Sequence, residues 1–350
     1  MAIHKVPQKI SHQNKKDSMN YRVLVTRRIP DIGMNLLLKD KRLRLDVYEK
    51  NRVIPQKELL KRIKGVDILL CLLTDRIDAK VMDAAGSSLK LIVNYAVGFN
   101  NIDVEAATKR KIAVANAPSP YVSESVAEHT IALLFALTRR IVESDAFTRA
   151  GNYKGWDPHL LLGTDVYGKT LGIIGTGAIG EAVVHRMHDG FFMKILYHDV
   201  KRNPVLEKET GAKFVSINEL LKRSDFVSLH VPLLPSTHHL ISTKELALMK
   251  KTAFLINTAR GPVVDERELL KALARKQIAG AGLDVYECEP MIDCDPHDHL
   301  ELRKMKNVVL TPHIASSTIE AREAMAKVVA ENILLFLKGK RLPCQVNEIV

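Results

Sequence analysis

One stretch constrains this chain more than any other. TLGIIGTGAIGEAVV runs from an apolar strand (170–175) through Gly175, Gly177 and Gly180 into residues with helical spacing. Strand, glycine turn and helix in that order open a parallel β–α–β unit. Gly175 allows the tight turn, Gly177 lets a ligand approach the backbone, and Gly180 lets helix and strand pack closely. The backbone of Gly175, Gly177, Ala178, Ile179 and Gly180 then offers free N–H groups at a helix N-terminus, where a pyrophosphate can sit. The spacing alone is common in turns; its place between strand and helix gives it weight. A dinucleotide fold also needs an acidic residue at the end of its second strand, about 20 residues on. Asp199 stands there, closing KILYHD. Its carboxylate suits ribose hydroxyls and repels a 2′-phosphate, so NADH is the expected cofactor. Lys201 and Arg202 keep NADPH possible.

The rest of the chain extends this alternation on both sides. Before the turn, strands are predicted at 21–26, 67–72, 90–97 and 113–118, with helices at 56–64 and 78–85. After it, strands are predicted at 170–175, 194–199, 225–232, 253–259, 279–285 and 307–313. Helices fit at 179–188, 217–223, 243–249 and 266–276. The expected fold is α/β, with two doubly wound parallel-sheet domains. Between the two series, a helical stretch beginning near Ser123 is apolar around most of its circumference. Such a helix is buried within one chain or packs against another subunit. It is expected to join the two domains and to help form a homodimer interface. A last amphipathic helix, 317–338, is expected to return the chain to the first domain.

Composition excludes several classes. With 350 residues the chain has room for two cored domains. No apolar run approaches the ~18–20 residues of a membrane span. The net charge of +12 is spread along the chain without a basic-aromatic stripe. It reads as a field favouring anionic ligands rather than as a nucleic-acid surface. Residues 1–19 are polar and Lys-rich, without the apolar region of a secretory signal, and are expected to form a disordered tail. A transit peptide is the competing reading, against which stands the absence of Arg. Cys71, Cys288, Cys294 and Cys344 follow no CxxC spacing, which points to a reduced, cytoplasmic protein. Cys288 is read as a packed thiol.

Three phrases fall at predicted strand ends: NTARG (257–261), GLDVYECEP (282–290) and LTPHIASST (310–318). Ligands of open α/β sheets bind beyond those ends. Arg260 can hold a planar carboxylate with two hydrogen bonds. His313 can give a proton to a carbonyl oxygen as hydride arrives. Glu289 can fix the tautomer of His313 and stabilise its imidazolium. Each residue taken singly also fits an ordinary surface or core role.

These phrases, with GKTLGIIGTGAIG, resemble the D-isomer-specific 2-hydroxyacid dehydrogenases over roughly residues 21–350. NYAVGFNNIDVEAATKR (94–110) and LFLKGKRLPCQVN (335–347) are similar to the glyoxylate and hydroxypyruvate reductase branch. The resemblance implies a Rossmann nucleotide domain (121–314) inserted into a flavodoxin-like substrate domain (20–120 with 315–350), the two closing to exclude water. It implies catalytic roles for Arg260, Glu289 and His313. It further implies that the backbone of Val97 and Gly98 receives the substrate carboxylate, and that Asp284 lies beside the nicotinamide carboxamide. His230, Val231 and Pro232 would follow the adenine and ribose, and Thr258 and Ala259 the nicotinamide. Thr237 either contacts the ligand or caps a turn. Leu72, Leu73 and Thr74 would line the small side of the pocket, which suits a glyoxylate, hydroxypyruvate or pyruvate tail and offers no countercharge to a phosphate.

The expected activity is NAD(H)-dependent reduction of a small 2-keto acid to the D-2-hydroxy acid. A phosphoglycerate dehydrogenase-like enzyme and an NAD-sensing corepressor on the same fold are the alternatives. One segment departs from the family, 291–305, with Asp293, Cys294, Asp295, His297 and His299. It lacks zinc spacing and reads as a mobile surface loop near the cleft, so no metal is expected.

Overall fold

The computed structural model describes residues 20–289 and 301–349. The tail 1–19 and the cluster from Asp293 to His299 therefore lie outside the described residues. The chain divides into two compact units. One runs to Pro118 and resumes at Met325; the other is Ser119–Ala324.

The first unit is built on β1 (Tyr21–Val25), β2 (Leu43–Val47), β3 (Ile68–Leu72), β4 (Leu91–Tyr95) and β5 (Ala113–Ala115). All are parallel, in the order β2-β1-β3-β4-β5. Helices α1 (Asp31–Leu38), α2 (Gln56–Arg62), α3 (Ala79–Ala85) and α4 (Val104–Lys109) connect them. The continuous apolar runs ILLCL and LIVNY are what a sheet covered on both faces needs. Strand β2 was not anticipated. Its sequence LRLDV alternates charge with apolar residues because it is an edge strand, and Asp46 pairs with Arg62 of α2.

The second unit carries β6 (Thr170–Ile174), β7 (Lys194–His198), β8 (Lys213–Phe214), β9 (Phe226–Leu229), β10 (Phe254–Asn257), β11 (Gly280–Leu283) and β12 (Val308–Leu310). They too are parallel, ordered β12-β11-β10-β9-β6-β7-β8. The order reverses between β6 and β9, which makes the carboxyl ends of those strands a switch point. The six expected strands are present; β8, two exposed residues at the edge, is too short to leave an apolar pattern.

The helices of this unit include α5 (Pro120–Thr138), α6 (Ile141–Arg149), α7 (Ala178–Phe191), α8 (Pro204–Thr210), α9 (Ile217–Arg223), α10 (Thr243–Leu248) and α11 (Glu266–Ala274). The helical stretch from Ser123 is thus two helices. The chain breaks at Arg140, whose φ of 52° is left-handed, and the Thr138 carbonyl is taken by the Thr164 N–H at 2.8 Å. Helix α5 buries Leu133, Leu134 and Leu137, whereas α6 buries nothing.

The final helix, α12 (Ile319–Leu337), crosses the boundary between the units along the chain. From Met325 on it packs in the first. There α1 presses so close that a Cβ on Gly33 would lie 2.5 Å from the Ala326 carbonyl oxygen. The C-terminal segment is stitched to β5, with the Val114 N–H donating to Asn347 Oδ1 at 2.8 Å.

Candidate active site

The glycine turn joins β6 to α7 at the switch point. Gly175 has φ of 96°, and a Cβ there would lie 2.7 Å from the His230 carbonyl oxygen. The turn and the end of β9 therefore touch backbone to backbone, and the His230 N–H donates to the Ile174 carbonyl at 2.8 Å. At Gly180 a Cβ would meet the Gly175 carbonyl oxygen at 2.1 Å, so the first turn of α7 sits directly on the strand end. Gly177 differs: a Cβ there would meet nothing within 4 Å. It is the N-cap of α7, and no side chain caps the N–H groups of Ala178 and Ile179. An open face above an uncapped helix N-terminus fits a dinucleotide pyrophosphate.

Asp199 follows β7 and leans toward this turn. Its carboxylate accepts the Thr176 N–H at 2.7 Å, the Thr176 hydroxyl at 2.9 Å and the Val200 N–H at 2.7 Å. Burial pushes its pKa up, but these hydrogen bonds outweigh it and hold the group below the ordinary carboxylate value. Arg202 is turned to Glu207, with contacts of 2.6 and 3.1 Å. Lys201 is exposed. Past β9, the His230 ring faces the Ser228 hydroxyl at 2.9 Å, and burial lowers its pKa to about 4. Val231 and Pro232 follow. The Thr237 hydroxyl donates to the Pro232 carbonyl at 2.6 Å and accepts the Leu234 N–H at 2.8 Å, so it caps a turn.

Arg260, Asp284 and His313 follow the neighbouring strands β10, β11 and β12, which brings the three phrases to one sheet end. His313 Nδ1 lies 2.5 Å from Glu289 Oε2. The Arg260 guanidinium is held at 2.6 Å from the Ala259 carbonyl; burial lowers its pKa, and the Glu289 charge offsets only part of that. The side chain of Asn257 clamps the bend, accepting the Ala259 N–H at 3.0 Å and donating to the Arg260 carbonyl at 2.9 Å. Thr258 is buried against the Thr130 hydroxyl at 2.8 Å.

Asp284 is fully buried, and its carboxylate organises the segment that carries His313. It accepts the Ile314 N–H at 2.9 Å, the Ala315 N–H at 2.8 Å and the Thr311 hydroxyl at 2.6 Å. The His313 N–H itself donates to the Asp284 carbonyl at 2.9 Å. His313 has φ of 53°, a left-handed conformation that this frame enforces. Burial pushes the Asp284 carboxyl up, yet its donors hold it below the ordinary value. Since the Thr311 proton goes to Asp284, the Thr311 hydroxyl oxygen receives His129 Nε2–H at 3.0 Å. His129, Thr311 and Asn257 were not singled out from the sequence, although HIA follows TP at 311–315 and a polar His129 interrupts an apolar helix. Cys288, expected to be a packed thiol, is disulfide-bonded.

Leu73, Val97 and Gly98 belong to the first unit, at the carboxyl ends of β3 and β4. The Val97 carbonyl accepts Asn116 Nδ2 at 2.6 Å and the Gly98 carbonyl accepts Asn94 Nδ2 at 2.8 Å.

Residues 131–315 match the family described as D-isomer specific 2-hydroxyacid dehydrogenase, NAD binding domain. The glyoxylate reductase of Thermococcus kodakarensis is 48% identical over 336 residues, 95% of this chain and 98% of that protein. The chain belongs to the D-isomer specific 2-hydroxyacid dehydrogenase family. It is therefore an oxidoreductase acting on CH–OH groups, with an NAD-binding domain in its second unit. Among solved structures, the TT0316 protein of Thermus thermophilus is 43% identical with a TM-score of 0.85, over 93% of this chain and all of that one. The D-lactate dehydrogenase of Aquifex aeolicus, solved with NAD and lactic acid, is 33% identical with a TM-score of 0.79, over 91% and 96% of the two chains.

Proposed function

We propose that this dehydrogenase uses NADH to reduce a small 2-keto acid of the glyoxylate, hydroxypyruvate or pyruvate type to the D-2-hydroxy acid. The observation that carries the reading is the 2.5 Å contact of His313 Nδ1 with Glu289, beside a half-buried Arg260. With Nδ1 facing a carboxylate, Nε2 is the nitrogen left for substrate. The bound nicotinamide supplies the hydride that reduces the keto carbon. His313 gives its Nε2 proton to the carbonyl oxygen, and Glu289 steadies the imidazolium before transfer. Arg260 holds the substrate carboxylate through charge-assisted hydrogen bonds. In the reverse direction His313 takes the proton back.

Within the first unit, the N–H groups of Val97 and Gly98 are the proposed carboxylate binders, and Leu72 and Leu73 the residues that suit a short, uncharged tail. The preference for NADH rests on Asp199 and on the pairing of Arg202 with Glu207, which removes that guanidinium from a 2′-phosphate. Loss of NADH absorbance is expected with glyoxylate, hydroxypyruvate or pyruvate, and more slowly with NADPH. Absence of turnover with all three acids would sink the reading.

The same reading includes a homodimer. Helix α6 buries nothing and exposes Ile141 and Val142, and beyond it Trp156 (84% exposed) and Leu162 are also uncovered. Between α5, α6 and the β10 and β12 side of the unit lies an open groove of 1020 Å³. Light scattering should give twice the 39.2 kDa chain mass; a monomer at working concentration refutes the assembly.

A further inference from the structure

A cluster of side chains able to ligate a metal lies in the second unit, one member of it two residues before Glu289. His238, His239 and Glu287 each offer one ligand atom, and these atoms lie within 4.8 Å of one another. The residues come from two turns far apart in sequence, so no spacing motif announces them. We propose that His238, His239 and Glu287 form a binding site for a divalent transition-metal ion, bracing the turn that carries Glu289.

An ordinary ion pair accounts for part of the cluster, since His239 Nε2 lies 2.7 Å from Glu287 Oε1. It leaves three features over. The His238 ring is exposed and stacks on His239 with centroids 4.1 Å apart, yet its nitrogens make no hydrogen bond among the described residues. The second nitrogen of His239, Nδ1, faces Asp265 Oδ2 at 3.7 Å. That carboxylate is itself fixed by the Ser242 hydroxyl at 3.0 Å. A carboxylate behind an imidazole is the arrangement that orients metal-binding histidines. Finally, the backbone under all three ligands is already anchored. The His239 N–H donates to the Pro262 carbonyl at 2.8 Å and the His238 N–H to the Leu234 carbonyl at 3.0 Å. The Glu287 N–H donates to the buried Glu266 carboxylate, and Glu287 Oε2 accepts the Glu266 N–H at 3.3 Å.

Two imidazoles and one carboxylate select zinc, nickel, cobalt or copper over magnesium or calcium. A tetrahedral ion with bonds near ~2.0 Å needs ligand atoms roughly 3.3 Å apart. The cluster reaches this by opening the His239–Glu287 contact slightly and swinging the exposed His238 inward. The fourth position is left to water. Because Glu287 is two residues from Glu289, the ion would pin the catalytic turn from outside the substrate site.

The test is a binding measurement, so its outcome is independent of the reaction proposed above. Chelator-stripped full-length protein is titrated with zinc chloride, and separately with nickel chloride, by calorimetry. The wild type should take up one equivalent that His238→Ala weakens by about tenfold to a hundredfold. His238 is exposed, so its truncation spares the fold; Glu287→Gln, with its metal-free Tm checked, should weaken the same equivalent. A zinc-soaked crystal should show one anomalous peak among the three side chains. Unchanged affinity in His238→Ala, no zinc binding in the wild type, or a peak elsewhere overturns the proposal.

Discussion

His313 is held by groups that do not react. Glu289 meets its ring, the Asp284 carbonyl takes its N–H, and the Asp284 carboxylate takes the next two N–H groups. The left-handed backbone is thus fixed independently of the ring, and the ring can be altered without losing the loop. His313→Asn should lower kcat by about 10²–10⁴-fold, the usual weight of a positioned acid–base group, while NADH still binds by fluorescence titration. Unchanged kcat refutes the acid–base role.

At the other end of the cofactor site, Asp199 is the only carboxylate bonded to the glycine turn among the described residues. A phosphate dianion beside it is repelled by several kcal/mol at an effective dielectric of about 20. Asp199→Ala should narrow the NADH-over-NADPH ratio of kcat/KM by at least about tenfold, roughly 1.4 kcal/mol. An unchanged ratio places the discrimination elsewhere. Both sites were legible because their residues stand at strand ends in runs with a clear period. The role of Asp284 as a brace was not legible. Its partners Ile314 and Ala315 are thirty residues away and donate through backbone, which no side-chain pattern records.

The same split appears among elements. Strands flanked by helices on both faces were legible from apolar runs such as LIVNY, whereas β2 and β8 lie at sheet edges and have none. The break between α5 and α6 was hidden because helical periodicity continues past Arg140, and only the left-handed turn there interrupts it. The glycine turn gives this scale its sharpest test, since its glycines do different jobs. Ala at 180 would drive a Cβ onto the Gly175 carbonyl, an overpacking of backbone that costs about 1–3 kcal/mol or more. Gly180→Ala should therefore lower Tm even without cofactor. Gly177 has φ of −74° and open space above it, so Gly177→Ala should leave Tm unchanged. That methyl occupies the pyrophosphate face instead, and NADH affinity should fall. If both variants lose stability alike, the open face at Gly177 is not a ligand surface.

For the molecule as a whole, acid stability follows from groups whose proton affinity changes on folding. His230 has a folded pKa of about 4 against an ordinary 6.5. Between those values the unfolded chain binds the proton and the native protein does not, so stability falls as pH drops from 6.5 toward 4. The full effect is about 3 kcal/mol, reached below pH 4. Other groups act lower on the scale. The lowered carboxyls of Asp199, Asp225 and Asp284 stabilise above 3.8 and lose that contribution as pH falls through their folded values. Buried Asp75 works the other way: its raised pKa lets the native state take a proton first, which adds stability as pH falls toward 3.8. Among the described residues with a resolved shift, the loss that begins at 6.5 is therefore assigned to His230. Urea unfolding at pH 7 and pH 5 should show a clear loss in the wild type and a smaller one in His230→Gln. His230 follows β9 at the switch point, in the segment expected to follow the adenine and ribose. If the bound cofactor requires a neutral His230, NADH affinity should weaken over the same window, and less so in the variant. Equal acid sensitivity in both proteins would move the titrating group elsewhere.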